Sequence, residues 1–319
     1  MGKCVVTIAV GKTYYLKLAE NLLRSFIRWN NNNDIQFLLI TDNISFYNKY
    51  ADNKRISFSK IDLSDEEKSF TSKLKLFDFV SADENLFIDC DCLVYKDISF
   101  VFDAFKGKHF STIGTAITKG EFFCDVPTTI KYFGIAKMPK LVGSIYFFKK
   151  DEVAKHVFEK ALELKSSYDE LGFVRLRNKE NEEPLLAVAM ELNNESIVEN
   201  DGTIKADLMY YQKIKSNVLT GSTLVFDRNL NIDTGGENIE ERSSPAILHF
   251  NGEFSESYQY LAEEYRINYN SNNVTLVNLL AFFKIELGAI LIKNFKNLFR
   301  PIYLAILGHR KVGKSKRIA

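Results

Sequence analysis

Four short strand-like runs punctuate the first 94 residues, and they constrain the fold more than anything else in the chain. They are Cys4–Val10, Ile35–Thr41, Arg55–Ile61 and Leu86–Val94. Near-continuous apolar strands occur where a sheet is covered on both faces. Between the first two, Leu18, Leu22, Phe26 and Trp29 fall on one helical stripe over Tyr14–Trp29, and Asn30–Asn33 breaks it. Glu66–Val80 reads as a second helix. Strands alternating with helices predict an α/β fold, a mostly parallel sheet flanked by helices. Such sheets bind ligands at the carboxyl ends of their strands. Gly11, Asp42 and the pair Asp89/Asp91 fall at such ends. Further on, Phe110–Ala116 and Ser144–Lys149 read as strands, and Asp151–Leu164 and Asn181–Leu192 as helices. The last opens on acids and Pro184, a first-turn signal.

Asp89 and Asp91 stand inside the apolar run Asn85–Asp97. A strand alternates faces with period 2, so both carboxylates point the same way and Cys90 and Cys92 the other. Two like charges side by side are costly to bury, and a divalent cation between them removes that cost. Mg²⁺ and Mn²⁺ take oxygen ligands and leave positions open for phosphates. The plain alternative is a strand ending in solvated aspartates. His249 follows the strand-like Ala246–Leu248. Two carboxylates with an imidazole suit Mn²⁺ better than Mg²⁺; a core or turn histidine is the other reading.

The ordered set of segments resembles the GT-A nucleotide-sugar-dependent glycosyltransferases, especially family 8 and its glycogenin and lipopolysaccharide galactosyltransferase-like branch. Thr71-Ser72-Lys73 leads to the Asp-x-Asp strand, Leu141–Lys149 looks like the sugar-side strand, and Ile247–Gly252 looks like the family's His-Phe-x-Gly segment. The resemblance covers about residues 3 to 260 and implies a Rossmann-like catalytic domain, here bounded at 1–265. It implies a metal site of Asp89, Asp91 and His249 holding Mn²⁺ or Mg²⁺. It also implies a donor site drawn from Val10, Gly11, Tyr14, Asp42, Lys73, Asp89, Cys90, Asp91, Gly143, Ser144, Asn251 and Gly252. Lys73 would meet the diphosphate or sugar of the donor; a solvated helix lysine is the alternative. Asn181-Glu182-Glu183-Pro184 matches the family's acidic stretch beside the transferred sugar. Glu183 is the first choice for the catalytic-side carboxylate and Glu182 the second, while helix N-terminal acids favoured by the macrodipole are the simpler reading. The implied donor is a UDP-sugar, the acceptor a glycan or lipid-linked glycan of the cell surface, and the transfer of a hexose retaining. Two departures bear on this. The first loop, Gly11-Lys12-Thr13-Tyr14, lacks the family's usual acids, leaving Tyr14 to stack on the base, and Gly143-Ser144 replaces an Asn-containing loop.

The formal charge of +1 makes no case for a nucleic-acid partner. It conceals an asymmetry. From residue 271 onward nine Lys and Arg stand against one acid, Glu286, leaving 33 basic and 40 acidic residues in the rest. Residues 266–319 therefore form a separate basic extension. Val274–Ile292 is mostly apolar, with Leu276, Leu280, Phe283, Leu287, Ile290 and Leu291 on one helical face. Lys284 and Glu286 each cost about 2.5–3.5 kcal/mol at a bilayer centre, which argues against a simple span. An apolar face followed by Lys293, Lys296, Arg300, Arg310, Lys311, Lys314, Lys316 and Arg317 suits a helix lying on an anionic membrane surface. Packing on the core or on a second copy of the chain is the alternative. The start of the chain reads as a strand rather than a signal peptide, and the four cysteines do not make a disulfide framework. The expected location is the cytoplasm, peripheral on the inner face of the membrane. Gly308 to Ser315 mimics a P-loop, but no strand pattern precedes it. Two other functions stay open: a nucleotidyltransferase, for which Gly11-Lys12 is a thin phosphate loop, and a non-catalytic membrane scaffold with a degenerate transferase fold.

Overall fold

A computed structural model describes residues 2–308 apart from 65, 66, 233, 235 and 237. The early strands pair as the alternation requires. β1 (Lys3–Ala9), β2 (Gln36–Thr41), β3 (Ile56–Lys60) and β4 (Glu84–Ile88) run parallel in the order β3-β2-β1-β4. A seven-stranded sheet continues from β4 through β7 (Met138–Lys149) and β6 (Phe110–Ile117) to β8 (Val198–Glu199), with β7 antiparallel to both β4 and β6.

The period-2 alternation of β1 sorts its side chains into two cores. Val5 and Ala9 join Leu22 and Phe26 of α1 (Thr13–Trp29) on one face. Cys4, Val6 and Ile8 pack on the other, in the cluster that holds Phe158 of α5 (Glu152–Lys165) and Leu185 of α6 (Glu182–Leu192). Covering both faces is what permits strands this apolar.

Two expectations change. The helix expected over Glu66–Val80 is a 3₁₀ turn, Phe70–Lys75, running into one short turn, α2 (Leu76–Phe79); residues 65 and 66 lie outside the described residues. Ser69, Thr71 and Ser72 are weak helix formers, and the hydroxyls of Ser69 and Thr71 pair at 3.0 Å. The strand expected to run to Val94 ends at Ile88. Asp89-Cys90-Asp91 forms a turn, closed by Cys92 N–H donating to Asp89 O at 3.0 Å. The chain then enters a different sheet as β5 (Cys92–Val94). Asp89 and Asp91 therefore flank a corner rather than share one strand face. Cys90 and Cys92 both point into the core beneath it.

The second half adds α3 (Ser99–Ala104), and α4 (Val126–Phe133), which is capped by Asp125. It also adds β9 (Lys205–Asp207), β10 (Tyr211–Asn217), β11 (Ser222–Arg228), β12 (Arg242–Ser243) and β13 (Ile247–His249). β10, β11 and β12 form an antiparallel sheet. β13 lies between β5 and β9 in a small three-stranded sheet, with His249 opposite Cys92 on one side and Asp207 on the other.

The boundary drawn after residue 265 falls inside α7 (Tyr258–Asn268), which packs on α1 through buried Tyr260, whose hydroxyl accepts from Asn21 Nδ2 at 3.1 Å. After it, α8 (Val274–Ala281), a π turn over Phe282–Glu286 and α9 (Leu287–Leu307) form one run, fifteen residues longer than the expected end at Ile292. Val277 and Ala281 seat its first turns on the protein. Lys284 lies 5.4 Å from the Tyr265 ring centroid and Glu286 pairs with Arg266. Both charges counted against a membrane are thus turned toward α7. Leu279, Phe283, Leu291, Ile292, Phe295 and Leu298 are exposed. Among the described residues this is the one helix long and apolar enough to cross a membrane, Val274–Pro301, by length and composition only. Arg310, Lys311, Lys314, Lys316 and Arg317 lie outside the described residues, as does the end of the P-loop-like run.

Candidate active site

The corner at Asp89–Asp91 opens into a cavity of about 860 Å³. Lys73 enters its wall from the 3₁₀ turn, Gly143 from β7, Glu182 and Glu183 from the start of α6, and His249, Asn251 and Gly252 from the end of β13 and the loop after it. The α6 start is set locally: Asn181 caps the helix by accepting from Glu183 N–H at 3.4 Å. That leaves two carboxylates in the first turn, where the helix dipole favours them.

Lys73 is the centre of this wall. Its Nζ donates to Gly143 O at 2.7 Å, Glu182 Oε1 at 2.8 Å and Asp89 Oδ2 at 3.0 Å. Burial would disfavour the ammonium, but Asp89 and Glu182 hold its pKa well above the ordinary lysine value. Glu182 is 1 % exposed and also accepts from the Tyr146 hydroxyl at 3.1 Å. Glu183 Oε1 accepts from Gly143 N–H at 2.7 Å. Burial, then the neighbouring Glu182 charge, pushes the Glu183 carboxyl up to about 7, against the pull of Gly143 and Lys73. The two adjacent carboxyls therefore differ: Glu182 is locked in an ion pair, while Glu183 titrates near neutrality. A Cβ at Gly143 would lie 2.5 Å from Glu182 Oε1 and 2.7 Å from the Tyr146 hydroxyl, so any larger residue there would displace the ends of those two side chains.

On the other side of the corner, His249 Nε2 lies 3.1 Å from Asp91 Oδ1 and its Nδ1 2.6 Å from Asp207 Oδ1. Burial alone would lower the imidazole pKa; Asp91 and the bond to Asp207 raise it to about 9. Ligand atoms of Asp91, Cys92 and His249 lie within 4.8 Å of one another, and Asp89 falls outside that group. Burial and the Asp91 charge push the Cys92 thiol well above its ordinary range, which leaves the oxygen and nitrogen donors as the ligands a hard cation would choose. The cavity's charges fit a cation as well. Asp89, Asp91, Glu121, Asp125, Glu182, Glu183 and Glu253 line it against Lys73, Lys140, Arg177 and His249. An anionic substrate would be repelled here without added positive charge.

Of the residues singled out in the sequence, Lys73, Asp89, Asp91, Gly143, Glu182, Glu183, His249, Asn251 and Gly252 line this one cavity. Val10, Gly11, Tyr14, Asp42, Cys90 and Ser144 do not. Gly11 and Asp42 hold each other, Gly11 N–H donating to Asp42 Oδ2 at 2.9 Å. The Tyr14 hydroxyl is bonded to Ser255 at 2.8 Å rather than standing free in the cavity. Ser144 is buried, and its carbonyl accepts from Asp89 N–H at 2.9 Å, so it braces the corner from β7. Cys90 is core. Tyr146, Lys205 and Asp207 were not found from the sequence, where nothing separates them from ordinary strand residues.

This architecture has known counterparts. The galactosyltransferase LgtC, solved with donor and acceptor sugar analogues, superposes at a TM-score of 0.50 over 87 % of this chain and 95 % of its own, with 14 % identity. The fold is that of the GT-A glycosyltransferases. The glycosyltransferase GlyE of Streptococcus pneumoniae TIGR4 matches at a TM-score of 0.41 and 15 % identity, over 63 % of this chain and 45 % of its own. The chain thus spans less than half the length of GlyE. The sequence matches no family profile and no curated protein. At such identities the GT-A likeness lies in the backbone, which makes the side-chain arrangement of this cavity the basis for any functional reading.

Proposed function

We propose that this protein is a divalent-metal-dependent glycosyltransferase that moves a hexose from a nucleotide-diphosphate sugar to a glycan or lipid-linked acceptor. The observation that carries the proposal is the convergence of Lys73, Asp89, Asp91, Glu182, Glu183 and His249 on one cavity of a GT-A fold. Asp91 and His249 would hold a cation, with Asp89 beside it; when bound, that ion supplies positive charge to the diphosphate. Lys73 orients Asp89 and fixes Glu182, so the charge of the wall is set before substrate arrives. Glu183, half-buried at the cavity wall, stands where an ionised carboxylate could accept a proton from the acceptor hydroxyl or stabilise positive charge on the sugar. UDP as the nucleotide, Mn²⁺ as the ion, retention of configuration and a role in surface-polysaccharide synthesis rest on the family 8 resemblance.

The exposed apolar run of α8 and α9, with the basic residues after it, supports attachment to the anionic inner face of a membrane. Co-flotation with phosphatidylglycerol vesicles at low salt is the expected result. Equal recovery with and without vesicles would remove this part of the proposal.

The decisive test is nucleotide release from UDP-, GDP-, CMP- and ADP-sugars with Mn²⁺, Mg²⁺ or EDTA, followed by anomeric analysis of the product by NMR. Metal-dependent release of one nucleotide is expected. Absence of release and of Mn²⁺-dependent nucleotide binding would refute the assignment, and a cellular role that survives Asp91→Asn would favour the scaffold.

A further inference from the structure

We propose that Asp207, clamped by Lys205, is a positioning residue of the cation site: it fixes the ring of His249 so that Nε2 faces Asp91 and the cavity. This rests on the reading of Asp91 and His249 as cation ligands. Parallel pairing sets Asp207 of β9 directly beside His249 of β13. Two residues earlier on the same strand, Lys205 shares Asp207's face by the period of a strand. The contacts form a line. Lys205 Nζ donates to Asp207 Oδ2 at 2.7 Å, Asp207 Oδ1 lies 2.6 Å from His249 Nδ1, and His249 Nε2 lies 3.1 Å from Asp91 Oδ1. Neither Lys205 nor Asp207 lines the cavity, and their side chains are each 1 % exposed.

A buried ion pair is a poor way to gain stability, because desolvating both charges offsets most of their attraction; apolar residues of similar size often do as well or better. Here the pair has a directional effect that apolar residues lack. Lys205 Nζ occupies Oδ2 of Asp207, which leaves Oδ1 aimed at the ring as a hydrogen-bond acceptor. The Nδ1 proton stays bound to Asp207 Oδ1, so the nitrogen that gives up its proton and turns a lone pair to a cation is Nε2, beside Asp91. Partners of this kind orient metal-binding histidines, and their loss commonly weakens metal affinity 10- to 100-fold. An asparagine at 207 could offer either an oxygen or an NH₂ group to Nδ1, so the orientation would no longer be dictated.

The test is Mn²⁺ binding without any donor sugar, followed by the EPR signal of free Mn²⁺, together with electron spin-echo detection of histidine nitrogen coupled to bound Mn²⁺. Wild type, Asp207→Asn and Lys205→Met are compared at a temperature where melting curves show all three folded. The expected result is a 10- to 100-fold weaker Kd for Asp207→Asn with loss of nitrogen coupling, and a smaller loss in Lys205→Met, which keeps the carboxylate. Wild-type affinity and coupling in Asp207→Asn would overturn the positioning role while leaving the cation site standing. If Asp207→Asn does not fold, an unchanged Kd and coupling in Lys205→Met overturns the clamp. Wild-type protein that binds no Mn²⁺ overturns the cation site and this inference with it.

Discussion

Replacing Lys73 with methionine is the sharpest probe of the site, because its cost is set by charges that remain behind. Lys73 is the only ammonium within reach of Glu182 among the described residues, and Glu182 is 1 % exposed. Methionine fills a similar volume, so little of the loss comes from a cavity. Breaking a buried pair from one side typically costs about 3–5 kcal/mol, since the remaining charge has neither water nor partner. Asp89, 22 % exposed at its side chain, can regain water and adds little. In Glu182→Gln the lysine keeps Asp89 and the Gly143 carbonyl, so about 1–2 kcal/mol is expected. The double variant has no stranded charge and should lie within about 1 kcal/mol of Glu182→Gln, a coupling of roughly 2–6 kcal/mol. For a domain of this size each kcal/mol moves Tm by about 2–4 °C, so Lys73→Met alone should melt roughly 6–20 °C lower. Urea unfolding followed by circular dichroism gives the energies directly. A loss below about 1 kcal/mol in Lys73→Met, or a double variant equal to the sum of the singles, would refute the buried pair.

Other consequences are independent of that cycle. Glu183 holds its proton more tightly folded than unfolded, so it contributes stability below about pH 4.5 that is lost as pH rises toward about 7; the effect is on the order of 3 kcal/mol, and Glu183→Gln should flatten this part of the stability-against-pH curve. If ionised Glu183 serves the reaction, turnover should rise with pH through the same region and fall about 10²–10⁴-fold in Glu183→Gln; a pH-independent rate would exclude that role. Saturating Mn²⁺ at about 100 times its Kd should stabilise the protein by about 2.7 kcal/mol. EDTA should reverse the shift and Asp91→Asn should abolish it; an equal shift in that variant would place the ion elsewhere. Gly143→Ala would push a methyl against Glu182 and Tyr146, and donor turnover is expected to fall at least tenfold; full activity would mean that the wall is more pliable than its contacts indicate.

The alternation of β-branched runs with an amphipathic helix was enough to determine the parallel half of the sheet, because burial on both faces leaves a local mark on every residue of β1 and β2 after the first. Asn181, Pro184 and two acids likewise announced the start of α6, since capping is decided within one helical turn. The apolar character of α8 and α9 is equally local. What the sequence could not carry is direction. Asp-Cys-Asp reads as part of a strand, and only pairing of β5 with β13 in a second sheet turns it into a corner that sends Asp89 to Lys73 and Asp91 to His249. Gly11 and Asp42 lie at strand ends as predicted, yet tertiary contacts bind them to each other instead of exposing them to the cavity. Tyr146 and Asp207 escaped notice because isolated polar residues in strands look alike until a neighbour 36 to 42 residues away arrives, and Lys205 gains its place only through Asp207. Periodicity records which side of an element is buried; charge partners are chosen by the packing of elements that the chain brings together from a distance.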